Sequence, residues 1–136
     1  MKYLTLALVL LLGILLGTFG AHSLNAQQQD RKATVVLQTD MTALPGMEGR
    51  VINLEYAPGA VEGKHYHTGE VLFYVLEGSE TLDVQGKPSV TVKQGEAAHL
   101  SPKEVISAKN ASGTAPLKIV IFAVTPKGQP VSVPVQ

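Results

Sequence analysis

The feature that most constrains the fold is a succession of short apolar segments, each followed by Gly, Pro, Asn or Ser, from residue 33 onward. The segments are ATVVLQT, GRVINLEYA, VLFYVLE, ETLDVQ, SVTVKQ, EVISAKN and PLKIVIFAVT. They are rich in Val, Ile, Leu and Thr, and none shows a helical period. Strands in this order, with turns and no helices between them, predict one all-β antiparallel domain, either a sandwich or a barrel.

The segment LKIVIFAV is apolar on both faces of the strand that it predicts. One face carries Leu117, Ile119, Ile121 and Ala123, and the other carries Val120, Phe122 and Val124. Such a strand is covered on both sides, by its own barrel or by a partner subunit, and we therefore expect a homodimer. The terminal stretches QQQDRK and TPKGQPVSVPVQ are interpreted as polar or Pro-rich arms outside the core.

The N-terminus has the pattern of a secretory signal. Lys2 is followed by the uncharged block YLTLALVLLLGILLGTFGA, and the polar run QQQD begins at residue 27. Cleavage after Ser23 or after Ala26 is compatible with the sequence, as is an uncleaved anchor, and we favour cleavage after Ala26. The predicted organisation is a signal peptide at 1–26, an arm and first strand at 27–39, and a β-barrel domain at 40–136.

Composition excludes several function classes. The sequence has 11 basic and 11 acidic residues, and cleavage would remove only Lys2, so no strong field attracts nucleic acid or, after cleavage, a membrane surface. The absence of cysteine excludes disulfides, thiolate metal sites and cysteine nucleophiles. We expect an exported protein, periplasmic or extracellular, whose fold depends on its core alone.

Two histidines in the stretch GKHYHTGEVLFYVLEG are the main candidates for chemistry. On a strand, His65 and His67 project from one face while Tyr66 projects from the other. Imidazoles so placed can bind one metal ion, although a surface pair or a hydrogen-bonded polar pocket fits the same spacing.

The residues around this pair resemble the first motif of the cupin superfamily. Gly59, His65, His67 and Gly78 stand at the expected intervals, and VQGKPSVTVKQGEAAHLSPKEVISAKNASG resembles the second motif. The resemblance spans roughly residues 40 to 135 and implies a cupin jelly-roll β-barrel (a double-stranded β-helix) with its site in the barrel mouth. It also implies a divalent ion such as Fe, Mn, Zn or Ni, held by both histidines, a glutamate and a second-motif histidine.

The sequence departs from this ligand set at two positions. Val71 stands where the resemblance implies the glutamate, and Glu70, one residue earlier, would point outward unless a bulge at Thr68–Gly69 re-aims it. Ile106 stands where the last histidine is expected. His99 remains as a substitute ligand, but we favour the interpretation that it is a half-buried histidine hydrogen-bonded to a backbone carbonyl.

Two functional hypotheses follow. In the first, an exported cupin binds a divalent metal weakly through His65 and His67, with Glu70 or water completing the coordination, and acts on a small molecule. Cupins with such sites include dioxygenases, isomerases, decarboxylases and sugar-modifying enzymes. In the second, a metal-free barrel serves as a periplasmic small-ligand-binding or assembly module, with its cavity lined by Val71, Phe73, Val75 and Ile106.

Overall fold

Ten β-strands make up the regular structure of residues 30–136, the part of the chain that the computed structural model describes. The strands are β1 (Arg31–Asp40), β2 (Met47–Tyr56), β3 (Val61–His67), β4 (Glu70–Glu77), β5 (Ser79–Val84), β6 (Val90–Lys93), β7 (Ala97–Leu100), β8 (Ile106–Asn110), β9 (Leu117–Pro126) and β10 (Ser132–Pro134). Neighbouring strands pair antiparallel throughout. The all-β prediction is confirmed.

The strands form two five-stranded sheets. The first sheet has the order β1-β2-β9-β4-β7, and the second has the order β10-β3-β8-β5-β6. Both sheets contribute to one cluster of buried apolar side chains, which includes Leu54 and Ile119 from the first sheet and Leu82 and Ala108 from the second. The core therefore lies between the inner faces of the two sheets.

Alternation along β4 shows how the sequence creates an inner and an outer face. Val71, Phe73 and Val75 are at most 3% exposed, whereas Leu72 and Tyr74 are 49% and 41% exposed. Successive side chains of a strand point to opposite faces, so one residue of displacement would exchange the two sets.

The C-terminal stretch differs from the predicted arm. Its strand β10 pairs with β3, with Ser132 opposite His67 and Pro134 opposite His65. Val131 packs against the core. The short alternating run VSV supplies this pairing, and the prolines that suggested an arm are compatible with an edge strand.

The N-terminal predictions are only partly within the described residues. The predicted signal peptide at 1–26 lies outside them, whereas Arg31 and Lys32, predicted as part of an arm, belong to β1. Strand β1 is an edge strand, and all ten of its residues are exposed. From residue 30 onward the chain contains no helix long and apolar enough to cross a membrane.

Candidate functional site

A cavity of about 280 Å³ lies among the inward-facing side chains of both sheets. Its wall is mainly apolar and includes Ile52, Leu54, Val71, Phe73, Leu82, Leu100, Ile106, Ala108, Ile119 and Ile121. Its polar lining side chains are Arg31, Tyr56, Glu62, His65, His67, Glu80 and Ser132. Polar groups in a mostly apolar cavity are the usual composition of a small-molecule site.

Strand β3 directs both histidines of the first motif into this cavity. His65 and His67 are each 6% exposed, and their ring centroids lie 5.1 Å apart with the ring planes at 82°. His65 Nδ1 lies 2.8 Å from the carbonyl oxygen of Gly63, so a proton on Nδ1 donates there and leaves Nε2 as the lone-pair nitrogen. Within residues 30–136, the buried Nδ1 of His67 has no hydrogen-bond partner.

His67 is electrically neutral around pH 7. Burial lowers its pKa from 6.5 to about 4, and the nearby His65 and Arg31 disfavour its protonated form further. A neutral imidazole with an unsatisfied nitrogen has a hydrogen-bonding or coordinating capacity that only a bound molecule or ion can use.

A β-bulge brings Glu62 into the same site. The register between β3 and β8 shifts between Glu62 and His65, so these residues face the same side despite their odd spacing. Glu62 Oε1 lies 3.8 Å from His65 Nε2 and 3.0 Å from a guanidinium nitrogen of Arg31. Tyr56 donates its hydroxyl hydrogen bond to the other carboxylate oxygen of Glu62.

The environment of Tyr56 keeps its hydroxyl protonated. Burial raises the pKa of Tyr56 far above its ordinary value, and the carboxylate of Glu62 raises it further. The phenol therefore serves as a hydrogen-bond donor to Glu62. Arg31 balances the charge of this carboxylate, and each of its two oxygens has one partner, Arg31 or Tyr56.

Glu80 is the second carboxyl group of the cavity, and it lacks such partners. It is 3% exposed on β5 and lines the cavity, yet its side chain forms no hydrogen bond or ion pair with any other described residue. Burial raises its pKa from 4.5 to about 7, and Glu62 raises it further while Arg31 opposes the shift. Glu80 thus changes charge near neutral pH.

The other two predicted metal ligands lie elsewhere. Glu70 and His99 form a pair on the outer face, with 2.5 Å between Glu70 Oε2 and His99 Nε2 and side chains 52% and 54% exposed. Strand β4 is in regular register with β9 from Glu70 to Val75, so no bulge at Thr68–Gly69 re-aims the carboxylate. Glu70 and His99 do not join the histidine pair.

The four residues of the predicted cavity wall are divided between the cavity and the apolar core. Val71, Phe73 and Ile106 line the cavity. Val75 is fully buried in the apolar core but is not among the lining residues. Apolar side chains therefore occupy both positions at which the resemblance implies a carboxylate and a third histidine.

These residues do not fit a complete metal centre. Between residues 30 and 136, no group of three or more His, Cys, Asp or Glu side chains is placed to hold one ion. His65 and His67 offer two imidazoles, and the nearest carboxylate, Glu62, is already engaged by Arg31 and Tyr56. Resident zinc sites typically use three or four protein ligands.

Sequence reasoning missed five polar residues of the cavity, namely Arg31, Tyr56, Glu62, Glu80 and Ser132. Glu80 had the clearest signal, because it alternates with Leu82 and Val84 on one face of ETLDV. The odd spacing of Glu62 from His65 concealed its shared face, and Arg31 lay within the presumed arm.

A family model described as a cupin domain matches residues 53–124. The chain belongs to the cupin domain family. This match confirms the resemblance that the motifs around His65 and Gly95 indicated, and no curated protein matches the sequence.

Solved structures confirm the jelly-roll fold of this cupin. A cupin-like protein from Thermotoga maritima is similar with a TM-score of 0.62 and 20% identity, over 77% of this chain and 75% of that one. A conserved protein with a double-stranded β-helix domain from Klebsiella pneumoniae gives 0.60 and 20%, over 79% and 86%. KdgF from a Halomonas species gives 0.56 and 19%, over 73% and 81%. At these identities the likeness concerns the fold alone.

Proposed function

We propose that this protein is an exported cupin that binds a small organic molecule in its barrel cavity without needing a resident metal. One observation carries the proposal. The cavity of about 280 Å³ has an apolar wall and polar side chains that are incompletely satisfied by the protein itself. Its apolar wall favours an apolar molecular body, while its polar groups favour a ligand with at least one polar substituent.

The polar groups give a ligand specific partners. Within residues 30–136, the Nδ1 atom of His67 has no hydrogen-bond partner, and the side chain of Glu80 forms neither a hydrogen bond nor an ion pair. An unsatisfied buried polar atom costs about 1–3 kcal/mol. A ligand that satisfies either group while covering Leu82 and Phe73 therefore gains from both polar and apolar contacts.

Binding of a neutral probe tests this function. Benzyl alcohol should bind with a dissociation constant in the millimolar range, which corresponds to about 4 kcal/mol. Chemical-shift changes in nuclear magnetic resonance should map to Phe73, Leu82 and Ala108. Ala108→Phe fills the cavity and should abolish these changes, whereas Ala111→Phe adds the same bulk on the exposed surface and should not. Shifts that survive Ala108→Phe would place the probe outside the cavity.

Weak metal binding by the histidine pair is a second candidate function. It is favoured by the buried, unpartnered Nδ1 of His67 and by the neutral state of that ring, since a metal ligand must present a free lone pair. Elemental analysis should find well under one Fe, Mn, Zn or Ni ion per chain, and His65→Ala should remove what is bound.

Restoring the implied ligands sharpens the metal test. Val71→Glu with Ile106→His places a carboxylate and an imidazole at two positions that line the cavity. Each added ligand should tighten divalent-metal binding by about one to two orders of magnitude. Unchanged affinity in a folded double variant would show that these two positions do not converge on the histidine pair.

Export is supported by the N-terminal pattern. We expect a mature protein that begins at or near Gln27 and is found in the periplasm or outside the cell. The intact mass of protein purified from its native compartment checks this. A mass that still includes residues 1–20 would contradict cleavage.

We also propose a homodimer formed through the outer face of the first sheet. This face displays a contiguous apolar group, since Phe122 of β9 is directly opposite Leu72 of β4 and exposed by 46%. Leu72, Tyr74 and Leu76 are exposed by 41–49% along the same side of β4. Contiguous exposed apolar surface of this kind marks an interaction site.

Charge on the outer face fits a second copy of the chain. The ion pairs Glu70–His99 and Glu77–Lys118 lie at the two ends of the exposed part of β4, so the face carries little net charge that would repel an identical face. Light scattering should give the mass of two chains. Phe122→Lys should give one chain, and the control Val61→Lys, at a 70% exposed residue of the second sheet, should not.

A further inference from the structure

We infer that the occupant of the cavity is an amine, a small molecule with an apolar body and one ammonium group held by the carboxylate of Glu80. This inference rests on the proposed binding function and names its ligand class. Its first basis is the isolation of Glu80, which is 3% exposed, lines the cavity, and has no hydrogen bond or ion pair with any described residue. Buried carboxyl groups in proteins are nearly always partnered.

The side chains around Glu80 leave its charge unmatched. Glu62 of β3, Arg31 of β1 and Tyr56 of β2 line the cavity together with Glu80 and interact with it electrostatically. Arg31 and Tyr56 are both committed to Glu62. Those three groups are therefore collectively satisfied, and the ionised form of Glu80 is an excess negative charge in an apolar environment.

The two strands that pair with β5 supply no partner for the carboxyl group of Glu80. Asn110 of β8 is its direct cross-strand partner, but the Asn110 amide donates to the carbonyls of Ala57 and Ala115. The amide oxygen of Asn110 accepts from the backbone of Ser112. On the other side, Glu80 is opposite Val92 of β6. No cation or further donor reaches the carboxyl group from these strands.

This charge distribution selects a cation over an anion. An ammonium group at Glu80 gains a charge-assisted hydrogen bond and neutralises the excess charge. A ligand carboxylate would instead meet two acidic side chains, while Arg31, the one arginine among the described residues that line the cavity, is already paired with Glu62. The neutral His67 offers an anion no compensating charge.

The wall beside Glu80 suits an apolar body attached to the amine. Leu82 lies two residues along β5 on the same face, and Ala108 is opposite Leu82 in the adjacent strand. Both line the cavity together with Phe73. A volume of about 280 Å³ accommodates a compact ring or a short branched chain but not an extended polyamine.

The binding should depend on pH through Glu80. Burial, followed by the influence of Glu62, raises the pKa of Glu80 to about 7, with Arg31 acting in the opposite direction. Below about pH 6 the carboxyl group is largely protonated and attracts an ammonium ion weakly. Above about pH 8 it is ionised, so amine affinity should rise across this interval while affinity for a neutral molecule stays level.

Isothermal titration calorimetry of the purified protein measures the affinities of benzylamine, benzyl alcohol and benzoate at about pH 5.5 and about pH 8. At the higher pH, benzylamine should bind about tenfold more tightly than benzyl alcohol, and benzoate should bind more weakly than both. Glu80→Gln should abolish the amine preference, so that benzylamine and benzyl alcohol bind the variant with equal affinity. Asp83→Asn removes an exposed carboxylate from the same strand and should leave the preference intact.

The outcomes separate this inference from the binding function. Equal affinity for amine and alcohol at high pH, or an amine preference that survives in Glu80→Gln, overturns the amine assignment but leaves cavity binding standing. Failure of all three probes to bind overturns both. If Glu80→Gln does not fold, the wild-type pH comparison and Glu80→Asp decide, since the shorter acid should retain part of the preference.

Discussion

Two histidine–glutamate pairs lie on opposite faces of the barrel walls, and they differ in almost every physical respect. The outer pair, Glu70 and His99, has a 2.5 Å separation and side chains more than half exposed. The inner pair, Glu62 and His65, has a 3.8 Å separation and side chains only 14% and 7% exposed. The closer pair is the one in contact with solvent.

Distance alone would rank the energetic importance of these two pairs in the wrong order. Solvent screens the outer charges, and exposed ion pairs contribute about 0–1 kcal/mol. The inner carboxylate has lost most of its hydration and depends on Arg31 and Tyr56 for compensation. Consequences for stability and binding should therefore concentrate inside the cavity, and three changes test this, taken from the largest expected effect to the smallest.

The largest effect is expected from Glu80→Gln, because Glu80 is the inner carboxyl group without compensation. Its pKa is about 4.5 when unfolded and about 7 when folded, so the native state retains a proton that the unfolded chain loses as pH rises. Protonated Glu80 therefore stabilises the wild type fully below pH 4.5. As the pH rises from 4.5 through 7, the free energy of unfolding of the wild type falls by on the order of 3 kcal/mol. Urea unfolding of both proteins from pH 4 to 8 should show the variant gaining this amount relative to wild type.

His67 has the opposite effect on how the free energy of unfolding depends on pH, and it has this effect in both the wild type and the variant. Its pKa falls from 6.5 to about 4 on folding, so its contribution is present above pH 6.5 and is lost as pH falls through 4. Between about pH 4.5 and 6.5, Glu80 lowers the free energy of unfolding of the wild type as pH rises, whereas His67 raises it. In Glu80→Gln only the rise caused by His67 should remain. A constant stability difference between the proteins at all pH values would contradict the raised pKa of Glu80. Asp83→Asn, an exposed carboxylate of the same strand, is the control.

The sequence predicted the elements of this site that depend on strand periodicity. Alternation placed His65 with His67, and it separated Val71 from Glu70. It did not predict Glu62, because the register shift between Glu62 and His65 changes the parity of the strand.

Other members of the site depend on tertiary pairing. Arg31 reaches Glu62 only because β1 pairs with β2 and brings Arg31 opposite Tyr56, across a sequence separation that local pattern does not encode. Glu80 is likewise isolated because the strands paired with β5, namely β6 and β8, bring no hydrogen-bond donor or cation to it. Long-range register, rather than local propensity, decides these contacts.

An intermediate effect is expected from breaking the inner cluster with Glu62→Gln. This nearly isosteric change leaves Arg31 without a counterion, and loss of one partner of a buried pair is strongly destabilising. The Arg31 side chain is 38% exposed and can recover hydration, so we expect a loss of about 1–2 kcal/mol rather than the larger values of fully buried pairs. Urea unfolding near pH 7 measures it. The matched outer change, Glu70→Gln, should alter stability by less than about 0.5 kcal/mol, and equal losses for the two variants would contradict the comparison.

The smallest effect is expected from the outer pair itself, and a double-mutant cycle isolates it. Glu70→Gln, His99→Gln and the double variant together give the coupling energy between the two side chains, free of their separate contributions. Because both side chains are more than half exposed, we expect a coupling of at most about 0.5 kcal/mol despite their short separation. Raising the ionic strength from about 0.1 M to about 1 M shortens the screening length from about 10 Å to about 3 Å and should reduce the coupling further.

The cycle should be repeated in the Phe122→Lys background, since dimer formation would exclude solvent from this face. A coupling above about 1 kcal/mol that persists at high salt in the monomeric background would mean that distance, and not exposure, governs these pairs.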